Sequence, residues 1–235
     1  MSDSFAAALE AIDRAQDQPE GFCAAFVQAF PVTGAAVSTM GDLLGSETVA
    51  ASDRCAARID EVQFDLGEGP CWDAVRTGTA VLQPDITATG PSLWPAFTAA
   101  LRPEDISSLF AFPLLVGPLR FGAIDLYSRV PVALDGDQTK QAGAMAEMVG
   151  RHLLRRALTS IGEAPEGPGN AYSRRLIHQA SGVVLAQTGL SADDARLVIQ
   201  GQAFAASRAM MDVAQDVIDG RLRFAREGTR IEVVE

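Results

Sequence analysis

The stretch "SSLFAFPLLVGPLRFGAIDLYSR", residues 107–129, is the most strand-like in the chain. Two apolar runs flank Gly117-Pro118, a dipeptide that turns the backbone, so the pattern predicts a hairpin. In the second run Phe121, Ala123, Asp125 and Tyr127 share one side, and Gly122, Ile124, Leu126 and Ser128 share the other. A long antiparallel pair anchors a sheet. What surrounds it sets the class of fold.

Upstream, "FAAALEAIDRA" and "PEGFCAAFVQAF" read as helices. In the second, Phe22, Ala25, Phe26, Ala29 and Phe30 recur at helical spacing, Pro19 suits the first turn, and Pro31 ends it. "TGAAVSTM" and "GSETVAAS", meeting near Gly41-Asp42, form another hairpin. "DRCAARIDEVQ" is helical, "GEGPCWDAVRTG" is a glycine turn and a short helix stopping at Gly78, and "TAVLQPD" is a short strand. Residues 136–160 form one long helix without proline. Helices first, strands mostly antiparallel and a long helix last describe an α+β sandwich.

Beyond it, "GEAPEGPGN", residues 162–170, has three glycines, two prolines and no apolar periodicity, the composition of a linker. The boundaries read as a first domain over 1–160, a linker over 161–169, a small helical domain over 170–225 and a tail over 226–235. In the helical part, Leu176, Ile177, Ala180, Val183 and Val184 make one stripe, and Gly189 is placed to close the helix in a left-handed turn. Ser191 caps the next helix with Asp194 three residues on, and Ala195, Val198, Ile199, Gln202, Ala203 and Ala206 form its stripe. Met210, Val213, Ala214, Val217 and Ile218 line a third helix that stops at Gly220. Each is too short to stand alone, so an all-α three-helix bundle is expected.

Composition narrows the function. The chain has 235 residues, 48% of them hydrophobic, and no apolar run nears the roughly 20 residues that span a bilayer. Its N-terminal segment is acidic and amphipathic, unlike a signal peptide, which points to a cytoplasmic address and no membrane partner. Three scattered cysteines and two histidines are too few for a zinc site or a disulfide framework, and no cofactor is expected. Net charge is −11, against indiscriminate nucleic-acid binding. The acidity is uneven. Residues 1–160 hold 11 cationic and 20 acidic side chains, whereas residues 170–235 hold eight of each, the cations all arginine.

The motifs "FDLGEGPCWDAVRTG", Trp94-Pro95-x-Phe97, "FPLLVGPLRFGAIDLYS" and "TKQAGAMAEMVGRHLL" together resemble a GAF domain across residues 1–158. That resemblance implies an antiparallel sheet with helices on its faces, and a small-molecule or dimer-signalling module with no reaction of its own. Phe64, Cys71, Trp72, Trp94, Phe97, Phe110 and Phe112 are candidates to line its ligand pocket, or simply core. The Asn-Lys pattern of cyclic-nucleotide-binding members is missing, and no cysteine or histidine marks a tetrapyrrole anchor. The signal, a small molecule or a protein, stays unidentified. Some GAF-like domains reduce a sulfoxide through cysteines. Cys71 at a helix N-terminus has the position for a lowered thiol pKa, but a small buried residue beside Trp72 fits it as well.

The later skeleton, "LIHQASGVVLAQTGLSADDA", Ala203 and "DVAQDVIDG", resembles the ANTAR domain over residues 171–220. The resemblance implies binding to stem-loops in nascent RNA, usually as a dimer, so that a downstream terminator cannot form. Carried onto this chain, the RNA-binding candidates are Arg174, Arg175, His178, Ser181, Gly182, Gln200, Phe204 and Arg208. Ser181, Gln200 and Phe204 stand where the family usually has cations, which lowers the salt-dependent share of affinity.

Helix 136–160 carries two stripes, Ala142, Met145, Val149 and Leu153 on one and Leu154, Leu158 and Ile161 on the other. One can cover the sheet, and the other suits a second copy of the chain, with Val149 chosen as the position to test that homodimer. The expected function is a signal-responsive RNA-binding regulator of antitermination, not an enzyme. The alternative is a signalling or scaffold dimer whose degenerate tail contacts protein.

Overall fold

The computed structural model describes residues 3–16, 18–41, 44–159, 174–228 and 230–234. Two compact units are present, Met1–Tyr172 and Ser173–Glu235. The linker expected at 161–169, and Ile161 with it, lie outside the described residues.

The first unit runs α1 (Asp3–Arg14), α2 (Glu20–Ala29), β1 (Gly34–Thr39), β2 (Glu47–Ala51), α3 (Arg54–Leu66), α4 (Pro70–Thr77) and β3 (Val81–Gln83). It continues through α5 (Ile86–Leu93), α6 (Pro95–Leu101), β4 (Ser108–Val116), β5 (Leu119–Ser128) and α7 (Gly136–Thr159). The predicted hairpin is β4–β5, turned at Gly117 with a φ of +58°. It sits inside a five-stranded antiparallel sheet of order β2-β1-β5-β4-β3. The α+β sandwich is therefore the observed fold.

Helices cover both faces. Phe22 and Phe26 of α2 and Met145 and Val149 of α7 join Phe110, Phe112, Leu114 and Ile124 of the sheet in one cluster. On the other face, Ile59, Trp94 and Phe97 pack with Leu109 and Tyr127. The expected alternation on β5 fails at one point, because Phe121 joins Ile124 and Leu126 in the first cluster. Pairing runs Pro113 to Ala123 and then Leu115 to Arg120, so β5 carries one extra residue there, a bulge that turns Phe121 over. Gly122 lies in that bulge, where a Cβ would collide with the Ser38 carbonyl.

Two helices, α5 and α6, go beyond the elements that the sequence pattern predicts. Residues 85–101 mix Thr, Gly and Pro with no apolar period. Local chemistry shapes them instead, with the Asp85 carboxylate accepting from the Thr87 and Ala88 amides and Pro95 opening α6. On α7, Ala142, Met145 and Val149 are fully buried and Leu153 nearly so, against the sheet. Val149 is thus a core residue and cannot serve as a dimer contact. Of the second stripe, Leu154 is half-buried and Leu158 is 59% exposed.

The second unit holds α8 (Arg175–Thr188), α9 (Ala192–Ala206) and α10 (Met210–Ile218). Gly189 closes α8 at φ +68°, and the Ser191 hydroxyl accepts from the Asp194 amide at 3.1 Å, as the sequence leads one to expect. Ile177, Ala180 and Val184 meet Ala195, Ile199 and Ala203 and Met210, Val213, Ala214 and Val217 in the bundle core. The residues set apart as a tail are structured: β6 (Arg223–Glu227) and β7 (Arg230–Val234) pair antiparallel. Phe224 on β6 is buried, and its amide donates to Gln187 Oε1 of α8 at 3.0 Å.

Candidate functional site

In the first unit the sheet face beneath α3 and α4 is floored by small residues. Asp125, mid-strand on β5, is flanked in register by Ala36 and Ala111, with Ala123 two residues away. Helix α3 delivers Gln63 above it, whose Nε2 donates to Asp125 Oδ2 at 2.5 Å. The same Gln63 side chain accepts the Cys71 amide at 2.8 Å, and its backbone carbonyl accepts the Trp72 indole at 2.7 Å. Gly69, at φ +137°, allows this approach, since a Cβ there would press on the Gln63 side chain. Asp60, one helical turn before Gln63, accepts from the Thr48 hydroxyl.

Burial, and then the neighbouring Asp60 carboxylate, push the Asp125 carboxyl well above the ordinary carboxylate range. Its Oδ1 has no hydrogen-bond partner among the described residues. The site is therefore a closed carboxyl held by one amide, its neutral form favoured by burial. Sequence reasoning misses Asp60, Gln63 and Asp125. The available signal is a polar residue at an apolar position, Asp125 between Ile124 and Leu126.

The expected pocket residues do not converge. Phe110 and Phe112 sit in the cluster on the α7 face, while Trp94 and Phe97 lie in the opposite one and Cys71 packs with Met40, Ala74, Ala111 and Ala123. Phe64 is buried and Trp72 half-buried. The "GEGPCWD" motif instead ties helices together. Glu68 accepts the Phe97 amide at 2.7 Å and Asp73 accepts the Trp94 indole at 3.1 Å. A cavity of about 470 Å³ lies elsewhere, walled by Ile86, Pro91, Leu101 and Ile106 with Arg102 and Asp105 at its polar side. None of the expected pocket residues lines it.

Cys71 is fully buried. His152 stacks on Phe22 on the other face, and burial, then Arg155, hold its pKa down. Cys23, in the core of that face, is pushed up to about 12 by burial. Burial of this kind opposes thiolate chemistry.

In the second unit the RNA-binding candidates divide sharply. Arg174, at 4% exposure, is buried at the N-cap of α8, where its carbonyl accepts the Ile177 amide. Ser181 is buried too, its hydroxyl donating to the Ile177 carbonyl at 2.8 Å. This corrects the expectation that both lie on the polar face. The reason is periodicity: 174, 177, 181 and 184 fall on the core side of one helix. Arg175, His178 and Gly182 are exposed on the opposite side. Gln200 is half-buried and Phe204 is 66% exposed. Arg208 pairs with Asp216 at 2.7 Å, and Asp216 also holds Arg221 at 2.7 Å. These two arginines lower the Asp216 carboxyl below its usual range. The C-terminal arginines, which the sequence offers as partial substitutes for the missing cations, fall on a hairpin it does not predict, where Arg223 and Arg226 are exposed.

Family comparison distinguishes the same two units. A GAF domain matches residues 10–153 and an ANTAR domain matches residues 171–218, so the chain belongs to the GAF domain family and carries an ANTAR domain behind it. Among solved structures, it resembles the GAF domain of an Acinetobacter phosphoenolpyruvate-protein phosphotransferase, with TM-score 0.52 and 10% identity over 71% of this chain and 100% of that one. The GAF domain of the corresponding Coxiella burnetii protein gives TM-score 0.50 and 13% identity over 68% and 99%. Both show the fold alone. No curated relative matches the chain. No helix among the described residues is long and apolar enough to cross a membrane.

Proposed function

We propose that this chain is a cytoplasmic, signal-responsive RNA-binding regulator that promotes transcription antitermination by holding stem-loops in nascent RNA, and that it is not an enzyme. The observation that carries the reading is the ANTAR match over residues 171–218, on a bundle whose α8 leaves Arg175, His178 and Gly182 uncovered. Arg223 and Arg226 of the hairpin, which docks on the same helix through Phe224, add positive charge nearby. The GAF unit is the sensor. Its cavity of about 470 Å³ falls within the usual range for a small-molecule site, and the buried Asp125 offers a group whose state a signal can change.

The test is a gel shift of the full chain with paired-hairpin RNA at two salt concentrations. Replacing Arg175 and Arg223 by alanine should flatten the log–log salt slope by roughly 0.7 to 0.9 for each phosphate no longer neutralised. Hairpin affinity no greater than that for unstructured RNA, unchanged in the variant, would refute the reading. The other function, a signalling dimer whose tail meets protein, is favoured by one observation only: the outer face of α9 presents Leu197 and Phe204 rather than cations.

A further inference from the structure

The cavity of about 470 Å³ in the first unit lies apart from the closed carboxyl beneath α3, since none of Asp60, Gln63 and Asp125 lines it. Its walls are mostly carbon. Ile86, Leu101 and Ile106 are buried beside it, while Pro91, Pro95 and Ala99 leave apolar surface open to water. The Thr87 and Thr98 hydroxyls in its lining already donate, to the Asp85 carboxylate at 2.6 Å and the Trp94 carbonyl at 2.8 Å, so they offer only lone pairs. Arg102 and Asp105 remain, one cation and one anion. Both are exposed, and no hydrogen bond or ion pair among the described residues engages either side chain. They stand at the two ends of the single 3-10 turn Arg102–Glu104, and Asp105 sits in the left-handed region at φ +53°. Glycine meets that backbone at lower cost, whereas aspartate keeps a carboxylate at the cavity.

We propose that this cavity binds a free α-amino acid with a bulky apolar side chain, its carboxylate on Arg102, its ammonium on Asp105 and its side chain against Ile86, Leu101 and Ile106. The proposal rests on the reading of the first unit as a sensor and names the class of its signal. Two opposite charges at one side of an apolar cavity suit a zwitterion. A simple acid would meet repulsion from Asp105, and a simple amine would meet repulsion from Arg102. The volume is that of about 16 liquid waters, room for an aromatic ring together with an amino-acid backbone. Both charges stand where water screens them, so the pair confers selectivity with modest affinity. An occupant also bears on Trp94, which ends α5 and caps α6 between Pro91 and Pro95 of the wall.

The test is calorimetric titration of the full chain, without RNA, using phenylalanine, phenylpropionate and phenethylamine. These carry the same ring with both charges, the carboxylate alone or the ammonium alone. Phenylalanine should bind at least about tenfold tighter than either analogue. Asp105→Asn tolerates the left-handed backbone, and it should bind phenylalanine and phenylpropionate within about twofold of each other. Arg102→Gln should bring phenylalanine and phenethylamine within about twofold in the same way. Both positions are exposed, and circular dichroism confirms that the variants fold. No heat and no change in tryptophan fluorescence up to about 10 mM phenylalanine, or a preference that survives both substitutions, would overturn the proposal. A hairpin-RNA gel shift that persists in that case leaves the RNA-binding reading standing, and its loss beside intact phenylalanine binding overturns that reading alone.

Discussion

Replacing Asp125 by Asn should change how the stability of the first unit depends on pH. Asp125 is 4% exposed, its carboxyl raised by burial and by Asp60, so the native state keeps a proton that the unfolded chain gives up near pH 3.9. The sign follows. Below the unfolded value the group's contribution is fully present, and it is lost as pH rises toward the folded value, at about 1.4 kcal/mol per pH unit. Asparagine does not titrate and its oxygen can still accept from Gln63. The amide it introduces has an unpaired N–H at the position of Oδ1, which adds a constant cost and no slope. The stability of Asp125→Asn relative to wild type should therefore climb as pH rises above about 4, by up to about 1.4 kcal/mol per pH unit for as long as the native carboxyl stays protonated. Both tryptophans of the chain, Trp72 and Trp94, lie in this unit, so urea titrations read by their fluorescence isolate it from the helical bundle. A stability difference independent of pH would show that Asp125 is ionised in the native state, and the sensor role drawn from it would fall.

Two further outcomes follow from the packing. Val149→Asp in the full chain should unfold the first unit rather than dissociate a dimer, with a drop of at least about 4 kcal/mol in the same urea titration, since it places an unpaired charge among Phe22, Phe121 and Met145. An intact unit that merely becomes monomeric would restore α7 as the interface. Phe224→Ala should cost about 3–5 kcal/mol of hairpin docking and expose the amides of residues 223–234 to hydrogen exchange, with α9 and α10 still protected.

Elements with a strong period are legible in the amino-acid sequence alone. The β4–β5 hairpin, the α2 and α7 helices and the Gly189–Ser191 corner each rest on local rules of alternation, capping and left-handed glycine. Elements that depend on long-range interactions are not legible in this way. In residues 85–101 the Asp85 cap and Pro95 are local signals, but no apolar period accompanies them, and Glu68 and Asp73 reach across from another segment to fix α6 and its approach. The β6–β7 hairpin is hidden for a related reason, since "RFAREGTRIEVV" is short, with five of its twelve residues charged, and its docking depends on one phenylalanine and Gln187. Grouping the aromatic residues into one pocket overlooks strand alternation, which already separates Phe110 and Phe112 from Leu109 and Ala111. In the helical unit, a stripe drawn from apolar residues alone stops short of the edges of the buried face of α8. Arg174 and Ser181 lie at those edges, and both are inside.

That difference changes what the chain's departures from its family mean. As letters in a sequence, Ser181, Gln200 and Phe204 are three equivalent absences of positive charge. In the fold they differ. Ser181 is satisfied by the Ile177 carbonyl within the bundle, so a lysine there would have to thread its stem out between helices before its ammonium reached any phosphate. Gln200 is half-covered. Only Phe204 stands fully on the surface, and there the change is one of kind, from a group that senses salt to one that does not. An exposed aromatic ring can stack on an unpaired base or pack on another apolar side chain, and both interactions survive added salt. What separates them is geometry. A base needs the ring open on one side with cations alongside to track the backbone; Phe204 has Leu197 and Gly201 beside it, Arg208 four residues on, and Asp193 and Asp194 at the far end of the helix. Negative charge from Asp193 and Asp194 repels a phosphate chain at that far end. On that ground the proposed nucleic-acid face remains α8 with the hairpin, and Phe204 adds an apolar surface whose contacts do not depend on salt.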